Sequence, residues 1–557
     1  MNKIVQTYLD EKHFTLQNFF IFLRKNIPLL LVSIGTVLIV FGVKLSNICF
    51  GIDSELYIAS NRYLNWMEIG RFGLVSLQKI YMNYLPNIEL FNPCLAVFFG
   101  CTFLLFGTLL WCFAIDIFSN GSIKKLCYIP FAILFLSHQV WVEQIYFVCQ
   151  SAECLFIVLL SPVSVYLLFK GTVASEIKKI IFGLIISVFC VSVYQGVIML
   201  IYCGIFAMFI LFKENTNLEA KKYIKICLSL VLLMLGIIGI YFSLNKCVQF
   251  IFNVKKSNYL VGMIGDKNSS VSRQILTTGL YFYDLMFANF KPLNTLLDSL
   301  IAKIARTGYK AVEPIETMRN CHSLIANVFY SLFLLTFYIV ILKNKKPSFL
   351  YIMSSICIIL CVLAFPLMGG GNCPLRSQYV IPFAFSFICL YVVNSISEYK
   401  NKLAHKIYLF LFILCGTKQV FISSMLNYCD VMRYQSDCRL SSELSKRISN
   451  VCRDSDVPVV FYGGHNPQFS SNYIKGEVCG YSPFEYDEGY SITECTSRGL
   501  SFMKTQGYNF NTTSDLELIN KARKEAEQMS DFPNEGSVKN LGDIIIVRLS
   551  KSSYMID

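Results

Sequence analysis

The chain has 557 residues, 55% of them hydrophobic and 15% charged, with a mean hydropathy of +0.53. Soluble domains carry about 25% charged residues, so this composition excludes an ordinary soluble protein. The formal net charge of +13 is spread as small lysine groups between apolar runs, which excludes nucleic acid as the partner and matches the cytoplasmic loops of a membrane protein.

Apolar runs long enough to span a bilayer, or nearly so, are predicted at 27–47, 93–115, 127–142, 153–169, 179–193, 196–212, 224–243, 323–342, 349–367, 379–395 and 406–424. The first begins at Ile27, is long and has no small-residue cleavage site, so it reads as a permanent span rather than a leader. The block 180–212 exceeds one span and is split at "VYQG", where Gly196 and two polar-tipped residues suit a hairpin. The total is eleven spans. Most of the 22 cysteines fall inside such runs ("IMSSICIILCVLAF"), where they act as small hydrophobes. No CxxC pair occurs, so no zinc or iron–sulfur centre is expected.

Orientation follows from the lysines. With Lys3, Lys12, Arg24 and Lys25 in the cytoplasm, the inside loops are "SNGSIKK", "KGTVASEIKK", "KENTNLEAKKYIK", "KNKKPS" and "SEYKNKLAHK", each with two or more Lys. Residues 1–427 then form a transmembrane domain with outer loops 44–92 and 244–322. Residues 428–557 form a small outer α/β domain, with strand runs "VPVVFYGG" and "GDIIIVRLS" and the amphipathic helix "SDLELINKARKEAEQM", for which "SDLE" is a candidate cap. Its five cysteines (Cys429, Cys438, Cys452, Cys479, Cys495) allow two disulfides in an oxidising compartment, with one thiol left over. The expected fold is therefore mainly α: a polytopic inner-membrane helical bundle carrying a C-terminal periplasmic α/β domain.

The first outer loop, "FGIDSELYIASNRYLNWMEIGRFG", is unusually charged for a connection. Leu56, Ala59, Tyr63 and Met67 recur at helical spacing and suggest a helix lying on the bilayer, interrupted at "GRFG" and resumed by "LVSLQKIYMNYL". Asp53 precedes it and is either a helix cap or a functional acid. Asp53 and Glu55, at i and i+2, share a face only if the backbone is extended. Arg62 and Arg71 suit lipid phosphates or a bound phosphate, and Glu68 neighbours Arg71 if the helix persists. On the same side emerge Glu143, Gln150 and Glu153 ("WVEQIYFVCQSAE"), Tyr194 and Gln195 ("VYQG"), and Arg376 ("GGGNCPLRSQYVIP"). Acids and arginines gathered at the outer leaflet fit transfer of a sugar from a lipid phosphate. One carboxylate takes the acceptor proton, and arginines neutralise the departing phosphate.

Together "GIDSELYI", "GRFGL", "YQG" and "PLRSQYVIP", with the C-terminal "NYCDVMRYQSDCRLSSELSKRI", "GYSPFEYD", "SFMKTQGY" and "GSVKNLGDIIIVRLS", resemble the bacterial O-antigen glucosyltransferases of the serotype-conversion (Gtr) type, within the GT-C class of membrane glycosyltransferases. The resemblance implies a polyprenyl-phosphate glucose donor, a lipid-linked O-antigen acceptor and transfer on the periplasmic face. It places the acid on Asp53 or Glu55, with Asp53 the first choice for base. Arg71, Glu68, Arg62, Glu143, Tyr194, Gln195 and Arg376 are candidates for donor phosphate or sugar binding. Family members often carry an aromatic run ending in Trp-Asp where this chain has Pro483 and Tyr486. Phe484, Tyr486 and Tyr490 are candidates to stack on acceptor sugars. No cofactor is required; a divalent cation on Asp53 and Glu55 is an open alternative. The rival functions are a flippase of lipid-linked sugars, which predicts mid-membrane charges and internal repeats, and an O-antigen polymerase.

Overall fold

A computed structural model describes residues 13–60, 65–84, 92–216, 218–254, 271–287, 327–343, 349–369, 373–398, 402–452, 456–465, 481–485 and 493–550. The described helices are α1 (Leu16–Lys25), α2 (Ile27–Ser46), α3 (Ser54–Ser60), α4 (Asn65–Glu68), α5 (Phe72–Tyr84), α6 (Pro93–Phe118), α7 (Tyr128–Leu136), α8 (Gln139–Tyr146), α9 (Val148–Ala174), α10 (Ile177–Val193), α11 (Val197–Asn215), α12 (Ala220–Ile251), α13 (Val271–Phe287), α14 (Val328–Lys343), α15 (Phe349–Met368), α16 (Val380–Glu398) and α17 (Lys402–Val451). After them come β1 (Val459–Tyr462), α18 (Glu494–Thr505), α19 (Leu516–Ala526), β2 (Val538–Asn540) and β3 (Ile545–Arg548).

Among the described residues, eight helices are long and apolar enough to cross a membrane, or nine if α7 and α8 are counted as one bent span. Within the described residues each predicted run falls on one helix, except that at 127–142, which falls on two. Two of the helices, α10 at 17 residues and α14 at 16, sit at the short end of what a bilayer requires. The expected straight span at 127–142 is instead bent by 41° between α7 and α8. Ser137 and His138 make the break, and the His138 ring accepts the Val140 N–H at 3.2 Å, capping the new helix. Helix α6 starts in the usual way, with Asn92 accepting the Leu95 N–H at 3.2 Å and Pro93 at its first position. The split at Tyr194–Gly196 separates α10 from α11 as the sequence suggested.

Helix α17 is longer than the apolar run predicted at 406–424. It runs for 50 residues without interruption, through Asn427, where the composition shift had suggested a boundary. Its buried polar residues Gln419, Ser423, Asn427, Asp430, Arg433, Asp437 and Ser441 recur every three or four positions and form one stripe. The Gln419 amide donates to the Leu134 carbonyl at 2.6 Å and the Asn427 amide to the Val40 carbonyl at 2.7 Å. Asp430 pairs with buried Lys44 and with Arg433, and Arg433 bonds Asp437 at 2.7 Å and the Phe50 carbonyl at 2.9 Å. Asp437 in turn accepts from Ser482 Oγ at 2.7 Å. One chain of buried polar contacts therefore joins α2, the first loop, α17 and the C-terminal segment.

Beyond α17 the chain forms a three-stranded sheet of order β1-β3-β2, with β1 and β3 parallel and β2 antiparallel to β3. Strands β1 and β3 are buried throughout and apolar but for Arg548, as a parallel pair covered on both faces is. Helix α19 starts at Asp515, whose carboxylate accepts the Glu517 N–H at 2.9 Å; the cap is this residue rather than Ser514. Among the described residues Cys429, Cys438, Cys452 and Cys495 form no disulfide with one another; Cys479 lies outside the described residues.

Candidate active site

The first loop leaves α2 and turns at Asp53, which adopts a left-handed backbone (φ 70°). Asp tolerates this conformation better than most residues. The Asp53 carbonyl accepts the Tyr57 N–H at 3.0 Å and so starts α3. Its carboxylate reaches α18. It accepts from Arg498 Nη2 at 3.1 Å, while Glu55 Oε1 accepts from Arg498 Nη1 at 2.7 Å. The third face of the guanidinium, Nε, bonds Glu494 at 2.9 Å. The two acids left open as a pair are thus brought together by an arginine from α18.

Their surroundings differ sharply. The Glu55 side chain is fully buried, whereas that of Asp53 is 35% exposed. Burial pushes the Glu55 carboxyl up to about 8, against the pull of Arg498 and with added repulsion from Asp53. Three carboxylates face one guanidinium, so the driest of them is the one that keeps a proton near neutrality. The exposed acid, Asp53, is then the one able to meet an incoming hydroxyl.

Arg71 follows a tight turn. Helix α4 ends at Glu68, Gly70 takes φ +80°, and Arg71 points into the bundle. Tyr241 donates to the Gly70 carbonyl at 3.1 Å, and the Gln195 amide donates to the Ile69 carbonyl and the Tyr241 hydroxyl, both at 2.9 Å. The Arg71 guanidinium donates to Gln150 Oε1 at 2.9 Å and lies 4.5 Å from the Tyr194 ring centroid and 5.1 Å from that of Trp66. The expected neighbour Glu68 does not pair with it, because the turn at Gly70 ends the helix that would have aligned them. Among the described residues no carboxylate pairs with Arg71, and its Nε has no partner.

Arg376 is held differently. It donates through Nη1 to Glu143 Oε1 at 3.0 Å and through its backbone N–H to Glu143 Oε2 at 2.9 Å, with its guanidinium 4.3 Å from the Phe147 ring centroid. Tyr194, stacked on Tyr379 at 5.3 Å, joins the two arginines. Burial pushes its phenol up to about 12, while Arg71 and Arg376 both pull it down.

The structure therefore collects Asp53, Glu55, Arg71, Glu143, Gln150, Tyr194, Gln195 and Arg376 at one end of the bundle. Glu68 stands on the rim, half-buried. Glu153 lies one turn into α9 behind them. Arg62, Tyr486 and Tyr490 lie outside the described residues. Phe484, offered as a sugar platform, is instead a core residue packed against Phe461 and Phe502. Arg498 escaped the sequence reading. The signal available was Glu494 and Arg498 at i, i+4 in "TECTSRGL", just before the noted "SFMKTQGY". Among the described residues no group of three His, Cys, Asp or Glu side chains is arranged to hold a metal ion.

The family model for the glucosyl transferase GtrII matches residues 42–393 of the chain. No curated protein and no solved structure matches it.

Proposed function

The chain belongs to the GtrII glucosyl transferase family and is a polytopic membrane glycosyltransferase; on that premise we propose that it moves a glucosyl residue from a polyprenyl-phosphate donor to lipid-linked O-antigen at the periplasmic face of the inner membrane. The observation that carries this reading is Arg71. A buried guanidinium without a paired carboxylate among the described residues is costly unless an anion joins it. It stands at the same end of the bundle as a half-exposed carboxylate, Asp53.

In this mechanism Asp53 accepts the proton of the acceptor hydroxyl as its oxygen attacks C1 of the donor sugar. The new C1–O bond forms on the face opposite the breaking C1–O(phosphate) bond, and polyprenyl phosphate leaves with the electron pair, inverting the anomeric centre. A phosphate leaves without a proton, so a second carboxylic acid as general acid is not needed, in contrast to glycoside hydrolysis. Arg71 receives the phosphate charge, with Arg376 alongside through Tyr194. Gln150 and Gln195 keep Arg71 and its turn in place. The lysine pattern of the intervening loops supports the outer side for this end, and residues 428–557 are the part suited to hold the acceptor chain.

The test is transfer of labelled glucose from polyprenyl-phosphate glucose to lipid-linked O-antigen, in membranes holding equal amounts of wild type, Asp53→Asn or Arg71→Gln. Wild-type transfer lost in Asp53→Asn, with a raised donor KM in Arg71→Gln, is the expected result. Transfer retained in Asp53→Asn removes Asp53 as base, and no transfer by the wild type from this donor overturns the proposal.

A further inference from the structure

The family match ends at residue 393, yet a side chain far beyond it grips both candidate acids. Arg498 is engaged on all three nitrogens: Nη1 to Glu55, Nη2 to Asp53 and Nε to Glu494. Its own side chain is 8% exposed. The fork spans two carboxylates from one helix start, which a lysine, with a single nitrogen, cannot do in the same geometry.

The helix that presents it is fixed from both sides. A Cβ at Gly499 would lie 2.4 Å from Phe461 Cε2, so α18 sits directly on β1. The Phe461 N–H donates to Thr496 Oγ1 at 2.9 Å on the same side. On the other side Lys504 Nζ donates to the Ala59 carbonyl at the end of α3. Asp53 meanwhile keeps its left-handed backbone (φ 70°), a conformation that surrounding contacts must maintain.

We propose that Arg498 is a positioning residue of the transfer reaction: it aims the Asp53 carboxylate and anchors Glu55, so that the C-terminal segment completes the site begun by the first loop. This rests on Asp53 acting as base. The charged and titratable groups around the guanidinium are Asp53 and Glu55 from α3 and its start, and Glu494 from α18. Tyr146 on α8 faces Glu55, and Cys149 on α9 faces both acids, with Glu153 beside Cys149. Without the cation, nothing holds the two carboxyl groups in their present directions, and Asp53 loses the donor that aims it. The base is then misdirected.

The experiment uses the full-length enzyme in membranes, with kcat and donor KM measured for wild type, Arg498→Lys, Arg498→Gln and Arg498→Ala, each normalised to folded protein by thermal unfolding in detergent. Arg498→Gln is expected to lower kcat by about 100-fold with donor KM within about threefold, as for a misplaced catalytic group. Arg498→Lys falls between it and the wild type, and millimolar guanidinium restores part of the activity of Arg498→Ala. A purely structural role would lower the amount of folded protein and leave kcat per folded molecule intact, with no rescue; that result overturns the proposal. Wild-type kcat in Arg498→Gln while Asp53→Asn is inactive overturns this inference alone. Full activity in Asp53→Asn overturns the reading beneath it.

Discussion

Replacing Gly70 with alanine tests how Arg71 is held. At φ +80° an alanine sits in the left-handed region, which costs about 1 kcal/mol relative to glycine. Its Cβ would also lie 2.6 Å from the Tyr241 hydroxyl and 3.2 Å from Asn245 Nδ2. Tyr241 is buried and stacked on Phe72, so the hydroxyl yields only by giving up its bond to the Gly70 carbonyl and its bond from Gln195. Loss of these two buried hydrogen bonds adds about 1–3 kcal/mol, for a total of about 2–4 kcal/mol. That is survivable for a bundle this size, but the displaced turn carries Arg71 with it. A shift of about 1 Å at a group that contacts the reacting phosphate costs on the order of 100-fold in rate. The assay is transfer from polyprenyl-phosphate glucose together with thermal unfolding in detergent. The expected pattern is a modest fall in melting temperature and a large fall in kcat/KM for the donor. Wild-type kcat/KM in Gly70→Ala, at any stability, refutes the argument that this turn sets Arg71 for the phosphate.

Two further expectations concern stability. Arg433→Met removes the centre of a buried ion cluster and strips partners from Asp430 and Asp437, which costs about 3–5 kcal/mol; adding Asp437→Asn recovers part of it, and a wild-type melting temperature for Arg433→Met would refute the cluster's role. Glu55 has its folded-state pKa raised to about 8, above its unfolded value. Its contribution is therefore fully present below pH about 4 and is lost as pH rises toward 8, at up to about 1.4 kcal/mol per pH unit. Wild type should lose stability relative to Glu55→Gln across that window, and parallel melting curves from pH 5 to 8 would show the carboxyl is not buried as described.

Much of this was legible in the sequence because the bilayer imposes a simple code: apolar length for spans, lysine for the inner loops. The hairpin at Tyr194–Gly196 and the gathering of Glu143, Gln150, Tyr194, Gln195 and Arg376 at one end follow from that code alone. What it missed has three physical causes. The α7–α8 bend lies within one unbroken apolar run, and only the His138 cap marks it. Helix α17 runs on well past the apolar run at 406–424, because its polar stripe meets polar partners. Arg498 and Glu55 are 443 positions apart, and no local period reports a contact at that range.

The long helix α17 has a geometric implication. Each residue advances an α-helix by 1.5 Å and rotates it by about 100°. Gln419 reads the α7 backbone near one end of the polar stripe, and Asp437 reads Ser482 near the other, so the two ends are locked in rotational phase. Adding or removing a single residue between them would turn the C-terminal segment by more than a right angle and carry Arg498 off the acids. The helix thus acts as a drive shaft whose length is counted in residues, and it sets the angle at which the C-terminal segment meets the helical bundle.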